Sequence, residues 1–369
     1  MKILHVTRDF PPRVNGGLST AVGGLVRALR EAQVDQAVVS FDGYRPSSRP
    51  GDAEVAIEDQ QGVAVLRVSR PGQLPVARAF ADEQRPDVVH VHQAMLWDFA
   101  SAVAAGAPRV FSVHLLQRLL RELRGLDEPT RSERDQERAF IEAEAVTIPS
   151  EACRAHLPSI VRDRAAHAPL GVHDHEASQA AVVAPRPPAT FLYAARFGDV
   201  KGTQQLLEAI PRVAAELPEA KFVLAGGLPD NPKADRRWRR RFVERAPNAE
   251  LVGWCDAVRL TELYARSTAL LVPSWFETFG LSAVEAMLHG TPILASAAGA
   301  LSELVEPGHN GWLVRPRDVD ALVAAIVSAA RDDAATLGRR AAVRARDHLW
   351  PGRVAAFVGL YERVVGLAR

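Results

Sequence analysis

The sequence predicts an α/β protein made of two doubly wound, Rossmann-like domains facing across a cleft. Three observations carry this. Short β-branched runs alternate with longer stretches of helical period, the signature of β-α-β units. The alternation pauses once, where three prolines fall within four residues (Pro185 to Pro188), and then restarts. The chain of 369 residues is also long for a single core, at roughly 100–200 residues per domain.

In the first half the strand-like runs are Ile3–Thr7, Ala37–Phe41, Val63–Val68, Val88–Val91, Val110–Val113 and Val146–Ile148. Helical periods lie between them at Leu18–Ala32, Trp97–Ala105, Leu115–Leu123 and Glu133–Ala143. Runs apolar on both faces suit parallel strands covered by helices on each side. The stretch Val182–Ala189 cannot propagate a helix or a central strand, because proline lacks the N–H and fixes φ. It reads as a linker. Beyond it come strands at Phe191–Ala194, Phe222–Ala225, Leu251–Val252, Ala269–Val272, Ile293–Ala295 and Trp312–Val314. Helices fall at Thr203–Leu217, Ala257–Arg266, Leu281–His289 and Asp318–Arg331. The domains are therefore expected at 1–182 and 183–350, with ligands bound at the carboxyl ends of the strands.

Composition narrows the function. An apolar fraction of 47%, a charged fraction of 24% and a formal net charge of +1 are ordinary for a globular protein and leave no basic field for nucleic acid. Any anionic ligand must be held by local charge. The two cysteines, Cys153 and Cys255, form no CxxC pair, so neither a disulfide framework nor a zinc site is expected. The start, Met-Lys-Ile-Leu-His-Val, has no apolar h-region, and no run of about 18 apolar residues occurs. These features point to a cytoplasmic protein, with peripheral contact at the inner membrane face left open.

The strongest signal runs from Leu270 to Met287: a buried strand, then Pro273-Ser-Trp-Phe-Glu277-Thr-Phe-Gly280-Leu281, then a helix. Gly280, where strand gives way to helix, lets a ligand approach the backbone. The N–H groups of Leu281 and Ser282, with the helix dipole behind them, suit a phosphate. Glu277 lies in the loop and Glu285 about a turn into the helix. Carboxylates beside a phosphate site make sense as acceptors for hydroxyls, one set on a sugar and one on a ribose. A second element, Tyr193-Ala-Ala-Arg196-Phe-Gly-Asp-Val-Lys201-Gly202, follows the first strand of the second domain. Arginine offers a planar fork and lysine a point charge, both fitted to phosphate oxygens.

The E-x7-E element, its Phe279-Gly280-Leu281 and the following Glu285-Ala-Met-x-x-Gly-Thr-Pro292 resemble the retaining glycosyltransferases of family 4, with the GT-B fold. The resemblance implies that Glu277 meets hydroxyls of the transferred sugar and Glu285 the ribose. Backbone groups of Phe279, Gly280 and Leu281 would face the sugar and the distal phosphate, and Arg196 and Lys201 would clamp the pyrophosphate. Those two cations and a helix N-terminus would stabilise the departing diphosphate without a metal. No cofactor is implied beyond the nucleotide-sugar co-substrate. Ala298-Gly299-Ala300-Leu301-Ser302-Glu303 fits the family's glycine-rich stretch, with Ala298 where a glycine is usual. Gly253-Trp254-Cys255 lies where the nucleobase is met, which brings in Cys255.

In the first domain, Gly16 and Gly17 precede a helix and permit backbone approach to an anion. The family has Gly-Gly here, touching the donor phosphates. Neither a G-x-G-x-x-G nor a P-loop pattern occurs. His114 ends a strand; its family counterpart sits by the reacting carbon and meets the sugar's primary hydroxyl. His90 and His92, in Val-His-Val-His, are expected to turn to opposite faces and so not to share a site. They read as packing or, for His92, as support behind the site. His173-x-His175 offers two ligands without a third and makes a poor metal site.

Two basic stretches, Leu115–Arg124 and Asp235–Phe242, read first as helices with a solvated arginine face, though Arg118 or Arg121 could meet an anionic acceptor. Where the family often has Pro-Asn-Gly-Val-Asp, this chain has Pro169-Leu-Gly-Val-His173. The resemblance also implies that residues 351–369 fold back on the first domain. The reaction expected is transfer of a hexosyl group from a nucleoside diphosphate sugar, with UDP favoured over ADP or GDP. The acceptor is a hydroxyl on a sugar, a lipid-linked or a small molecule. A GT-B epimerase or a non-catalytic sugar-nucleotide binder is the alternative.

Overall fold

The computed structural model describes residues 1–14, 16–41, 55–69, 71–174 and 189–368. It divides into two compact units, Met1–Gly171 with Trp350–Arg369, and Val172–Leu349. The linker expected at Val182–Ala189, and the boundary after residue 182, lie outside the described residues except for Ala189. His175 of the His-x-His pair lies outside them too. Val172 already belongs to the second unit, where its N–H donates to the His348 carbonyl at 2.9 Å.

The first unit is built on an eight-stranded sheet of order β3-β4-β2-β1-β5-β6-β7-β8. Its strands are β1 (Lys2–Thr7), β2 (Asp35–Ser40), β3 (Ala56–Gln60), β4 (Val63–Arg67), β5 (Val88–Val91), β6 (Arg109–Ser112), β7 (Ala145–Ile148) and β8 (Ala166–His167). All pairs are parallel except β3 with β4. The central strands are apolar on both faces because helices cover both. Ile3, Leu4, Val38, Val39, Val88 and Val89 have no exposed surface. The helix Gly17–Glu31 buries Ala21, Val22, Leu25, Val26 and Leu29, the 3–4 spacing of one face.

The last helix, Trp350–Ala368, is part of this unit. Its Trp350 ring is buried against two glycines: a Cβ added at Gly24 or Gly171 would lie 2.7 or 2.6 Å from it. Gly171 thus has a packing reason independent of the residues around it that differ from the family pattern. Phe357, Leu360, Tyr361 and Val364 continue the same buried stripe.

The second unit carries a parallel six-stranded sheet of order β11-β10-β9-β12-β13-β14. Its strands are β9 (Thr190–Arg196), β10 (Lys221–Gly227), β11 (Ala249–Gly253), β12 (Ala269–Val272), β13 (Ile293–Ser296) and β14 (Gly311–Val314). Phe191, Phe222 and Leu224 pack with Leu206, Leu207 and Ile210 of the helix Thr203–Glu216 and with Phe242. The strand order reverses between β9 and β12 here, and between β1 and β5 in the first unit. In open α/β sheets ligands bind at such switch points, beyond the carboxyl ends of the strands.

Some elements carry no strong periodic signal. Strand β3 reads Ala-Ile-Glu-Asp-Gln, an edge strand paired on one side only, so no continuous apolar run is required of it. The helix Leu74–Gln84 opens with a proline, and Pro232–Arg245 buries only Phe242. The latter contains the denser basic stretch, with Arg236, Arg237 and Arg240 exposed. The helix Gln117–Leu123 buries none of its residues fully, so its leucine stripe is only half covered.

Candidate functional site

In the second unit the site grows from two loops at the switch point. Strand β9 ends at Arg196, and the chain turns through Asp199–Lys201 to Gly202. Gly202 has φ +70°, and an added Cβ would lie 2.0 Å from the Pro273 carbonyl oxygen. Only glycine allows this approach. It lets the Trp275 N–H donate to Val200 O at 2.8 Å, which ties the loop after β9 to the loop after β12.

That tie brings together two of the residues singled out above. Lys201 Nζ donates to Glu277 Oε1 at 2.7 Å, and Ser274 Oγ donates to the same oxygen at 2.7 Å. Oε2 makes no hydrogen bond among the described residues. The Glu277 side chain is 13% exposed, so a charge here relies on its partners and keeps one oxygen for a hydroxyl. Its backbone is fixed as firmly. Ala300 N–H donates to Glu277 O at 2.9 Å, and Gly299, at φ +62°, passes so close that a Cβ would lie 2.1 Å from that oxygen. The glycine-rich stretch thus acts as a buttress behind Glu277.

Gly280, at φ +85°, starts the helix Leu281–Leu288 with no side-chain cap. The N–H groups of Leu281 and Ser282 make no hydrogen bond among the described residues, which leaves them as donors at an uncapped helix start. Phe279 is buried. Glu285 sits one turn further on, where Tyr264 donates to its Oε2 at 3.2 Å. Burial pushes the Glu285 carboxyl up to about 7, and the Tyr264 bond offsets this in part. Cys255 neighbours Tyr264, is half-buried, and reaches the Gly253 carbonyl at 3.6 Å. Arg196 pairs with Asp230 at 2.5 Å, beyond the end of β10. Tyr264, Ser274 and Asp230 were not singled out in the sequence: each is an ordinary residue there, and only the fold sets it against a site carboxylate or arginine.

In the first unit Gly16 precedes the helix Gly17–Glu31 after β1, and His114 follows β6. The expectation that His90 and His92 diverge is wrong. Residues two apart on an extended chain share a face, and these rings lie 4.1 Å apart. His5, opposite His90 in the β1–β5 register, joins them. All three are buried. His5 Nδ1 meets His92 Nε2 at 3.1 Å, and His92 Nδ1 meets His114 Nε2 at 3.1 Å. His92 therefore does stand behind His114. His90 is held apart from this chain, by Tyr361 OH and Ser112 Oγ at 2.7 Å each. His5, His90 and His92 have ring nitrogens within 4.8 Å of one another, the spacing of a metal site. Because His90 uses both nitrogens on hydroxyls, the group fits a hydrogen-bonded cluster better than a ligand set.

The arginines suggested for an anionic acceptor are engaged within the unit. Arg121 donates to the buried Glu133 at 2.8 Å and to Leu126 O at 2.9 Å, while Arg118 pairs with Glu122 on the surface.

Residues 16–172 match the glycosyl transferase 4-like domain, and residues 188–332 match the family described as glycosyl transferases group 1. Glycogen synthase of Mycobacterium tuberculosis is 30% identical over 387 aligned positions, covering 94% of this chain and 90% of that protein. Among solved structures, sucrose-phosphate synthase from Thermosynechococcus elongatus superposes with a TM-score of 0.79 at 21% identity, covering 100% of both chains. An Anabaena protein crystallised with UDP and glucose superposes with a TM-score of 0.71 at 19% identity, covering 98% of this chain and 100% of that one.

Proposed function

From the premise that the chain belongs to the group 1 glycosyl transferases, family 4 with the GT-B fold, we propose that it moves a hexosyl group from a nucleoside diphosphate sugar to a hydroxyl acceptor with retention and without a metal. It is a glycosyltransferase; the donor, the stereochemistry and the acceptor class are the proposal. The observation that carries it is Glu277, a carboxylate gripped on one oxygen by Lys201 and Ser274, beside an uncapped helix start.

In this reading the free Glu277 oxygen accepts hydroxyls of the transferred sugar, and Glu285 accepts those of the ribose. The N–H groups at Leu281 and Ser282, with Arg196 and Lys201, take the diphosphate. For Gly16 and Gly17 the reading keeps the role toward donor phosphates that the resemblance implies, and for His114 the role toward a sugar hydroxyl. The bond from the anomeric carbon to the distal phosphate oxygen breaks as the acceptor oxygen bonds to that carbon on the same face. The acceptor proton passes to the departing phosphate. Two cations and a helix N-terminus offset the charge that builds on the leaving oxygen, so no divalent ion is required. UDP is favoured because a neighbour of the same fold is described with UDP and glucose; ADP- and GDP-sugars remain in the donor set. Acceptors are a sugar, a lipid-linked or a small-molecule hydroxyl, met in the cytoplasm. Among the described residues no helix is long and apolar enough to cross a membrane.

The test is transfer from labelled UDP-, ADP- and GDP-sugars with and without EDTA, for the wild type and for Arg196→Ala and Glu277→Ala. Each substitution is expected to lower turnover by roughly 10²–10³, the range for losing one preorganised charge-stabilising group. EDTA is expected to leave the rate unchanged. Near-normal turnover in both variants overturns the site, and loss of activity in EDTA overturns metal independence.

A further inference from the structure

Four histidines meet at the switch point of the first unit, and the mechanism above uses only His114. What the others do follows from hydrogen-bond directions. Gln36 Nε2 donates to the Val26 carbonyl at 2.7 Å. A carbonyl can only accept, so this contact fixes the amide, and Gln36 Oε1 must face His5 Nε2, 3.2 Å away. That nitrogen therefore carries a proton.

The remaining assignments follow if the rings are neutral, and the site makes them so. His5, His90 and His92 are buried, and their ring centroids lie 4.1–5.5 Å from one another, so a charge would be unsolvated and would repel any second one. Burial holds His5 and His114 down at about 4. Burial and the neighbouring rings hold His90 and His92 well below the usual value. Among the described residues, Gln36, Ser112, Thr147 and Tyr361 are set against His5 and His90 from other elements, directly or through Ser112, and burial keeps the Tyr361 phenol protonated.

A neutral imidazole has one donor and one acceptor. With Nε2 protonated, His5 Nδ1 accepts, so His92 Nε2 donates to it. His92 Nδ1 must then accept, and the proton between His92 and His114 sits on His114 Nε2. We propose that Gln36, His5 and His92 are positioning residues that lock His114 in its Nε2-protonated tautomer, leaving Nδ1 as the lone-pair atom.

The functional consequence rests on the donor-site reading. A His114 with a bare Nδ1 receives a hydrogen bond from a hydroxyl and cannot give one to a phosphate oxygen or an oxyanion. His114 would therefore orient a sugar hydroxyl and not act as a general acid. The locking device lies wholly inside the first unit and is set at Gln36, two rings away from His114.

The experiment reads the tautomer directly, with ¹⁵N-histidine labelling and long-range ¹H–¹⁵N correlation on the full chain at neutral pH. His114 is expected to show a protonated Nε2 and a bare Nδ1. In His92→Asn the amide oxygen stands in for Nδ1, so the His114 tautomer is retained. In His92→Phe the acceptor is gone and the other tautomer becomes populated. Gln36→Leu, which leaves all four rings in place, frees the far end and is expected to give mixed tautomers. If His92→Phe does not fold, Gln36→Leu still decides the matter. A wild-type His114 protonated on Nδ1, or an unchanged tautomer in Gln36→Leu and His92→Phe alike, overturns the lock. Kinetics separate this from the site assignment. His92→Phe is expected to lower kcat by roughly tenfold, about one hydrogen bond's worth, with KM little changed and recovery in His92→Asn. A shifted tautomer with full kcat would leave the lock standing and remove His114 from the catalytic site.

Discussion

The buttress behind Glu277 gives a substitution whose cost divides cleanly into parts. Gly299→Ala places a Cβ 2.1 Å from the Glu277 carbonyl oxygen, where contacts under 3.0 Å essentially never occur. The loop carrying Glu277 must therefore retreat by about 1 Å. The Ala300 N–H bond to that carbonyl is lost with it, at about 1 kcal/mol. A non-glycine residue at φ +62° adds roughly 1–2 kcal/mol. Together these come to roughly 2–3 kcal/mol, or a fall in apparent Tm of roughly 5–10 °C for a domain of this size. Activity should suffer more than stability, because a displacement of about 1 Å at a substrate-positioning group costs on the order of 10² in rate.

Gly308→Ala is the control. Gly308 has a similar φ, +74°, but an added Cβ there meets nothing within 4 Å. It should lose the backbone-strain part alone, roughly 1–2 kcal/mol, and keep full activity. Calorimetry and donor-dependent transfer assays on the two variants separate strain from collision. If Gly299→Ala melts no lower than Gly308→Ala and transfers sugar at the same rate, the close approach does not position Glu277 and the reasoning fails.

Two further predictions concern stability. Glu285 has its carboxyl raised to about 7 by burial, so between about pH 4.5 and 7 the folded chain holds a proton that the unfolded chain releases. Stability should fall as pH rises through that window and level off above it, by roughly 1–3 kcal/mol after allowance for solvent. Glu285→Gln should flatten this slope in denaturant titrations at pH 5 and 8, and an unchanged slope would clear Glu285 as its source. Trp350→Ala removes a ring buried between Gly24 and Gly171 and should cost roughly 3–5 kcal/mol in chemical denaturation. A loss under about 1 kcal/mol would mean that the last helix does not depend on this anchor.

Local sequence determined a good deal here. Apolar runs of strand length separated by helical periods are enough to specify two parallel-sheet units, because a strand buried on both faces has no freedom to alternate. The loop from Pro273 to Leu281 was legible for a related reason. Glycine at 280 and carboxylates at 277 and 285 are a chemical pattern carried on contiguous residues, so no tertiary information is needed to see it.

Only the tertiary structure decided what stands behind those residues. Ser274 and Lys201 converge on one oxygen of Glu277 because Gly202 lets two loops touch that are some seventy positions apart in the chain. Tyr264 reaches Glu285 from another helix. Arg121, free to serve an acceptor on the helical wheel, is consumed by Glu133. The histidine cluster is the clearest case. His5, Gln36, His92 and His114 come from four separate segments, and neighbouring strands with the turns that follow them bring the four into one hydrogen-bonded line. Hydrogen-bond direction depends on which atoms meet, and no one-dimensional pattern records that.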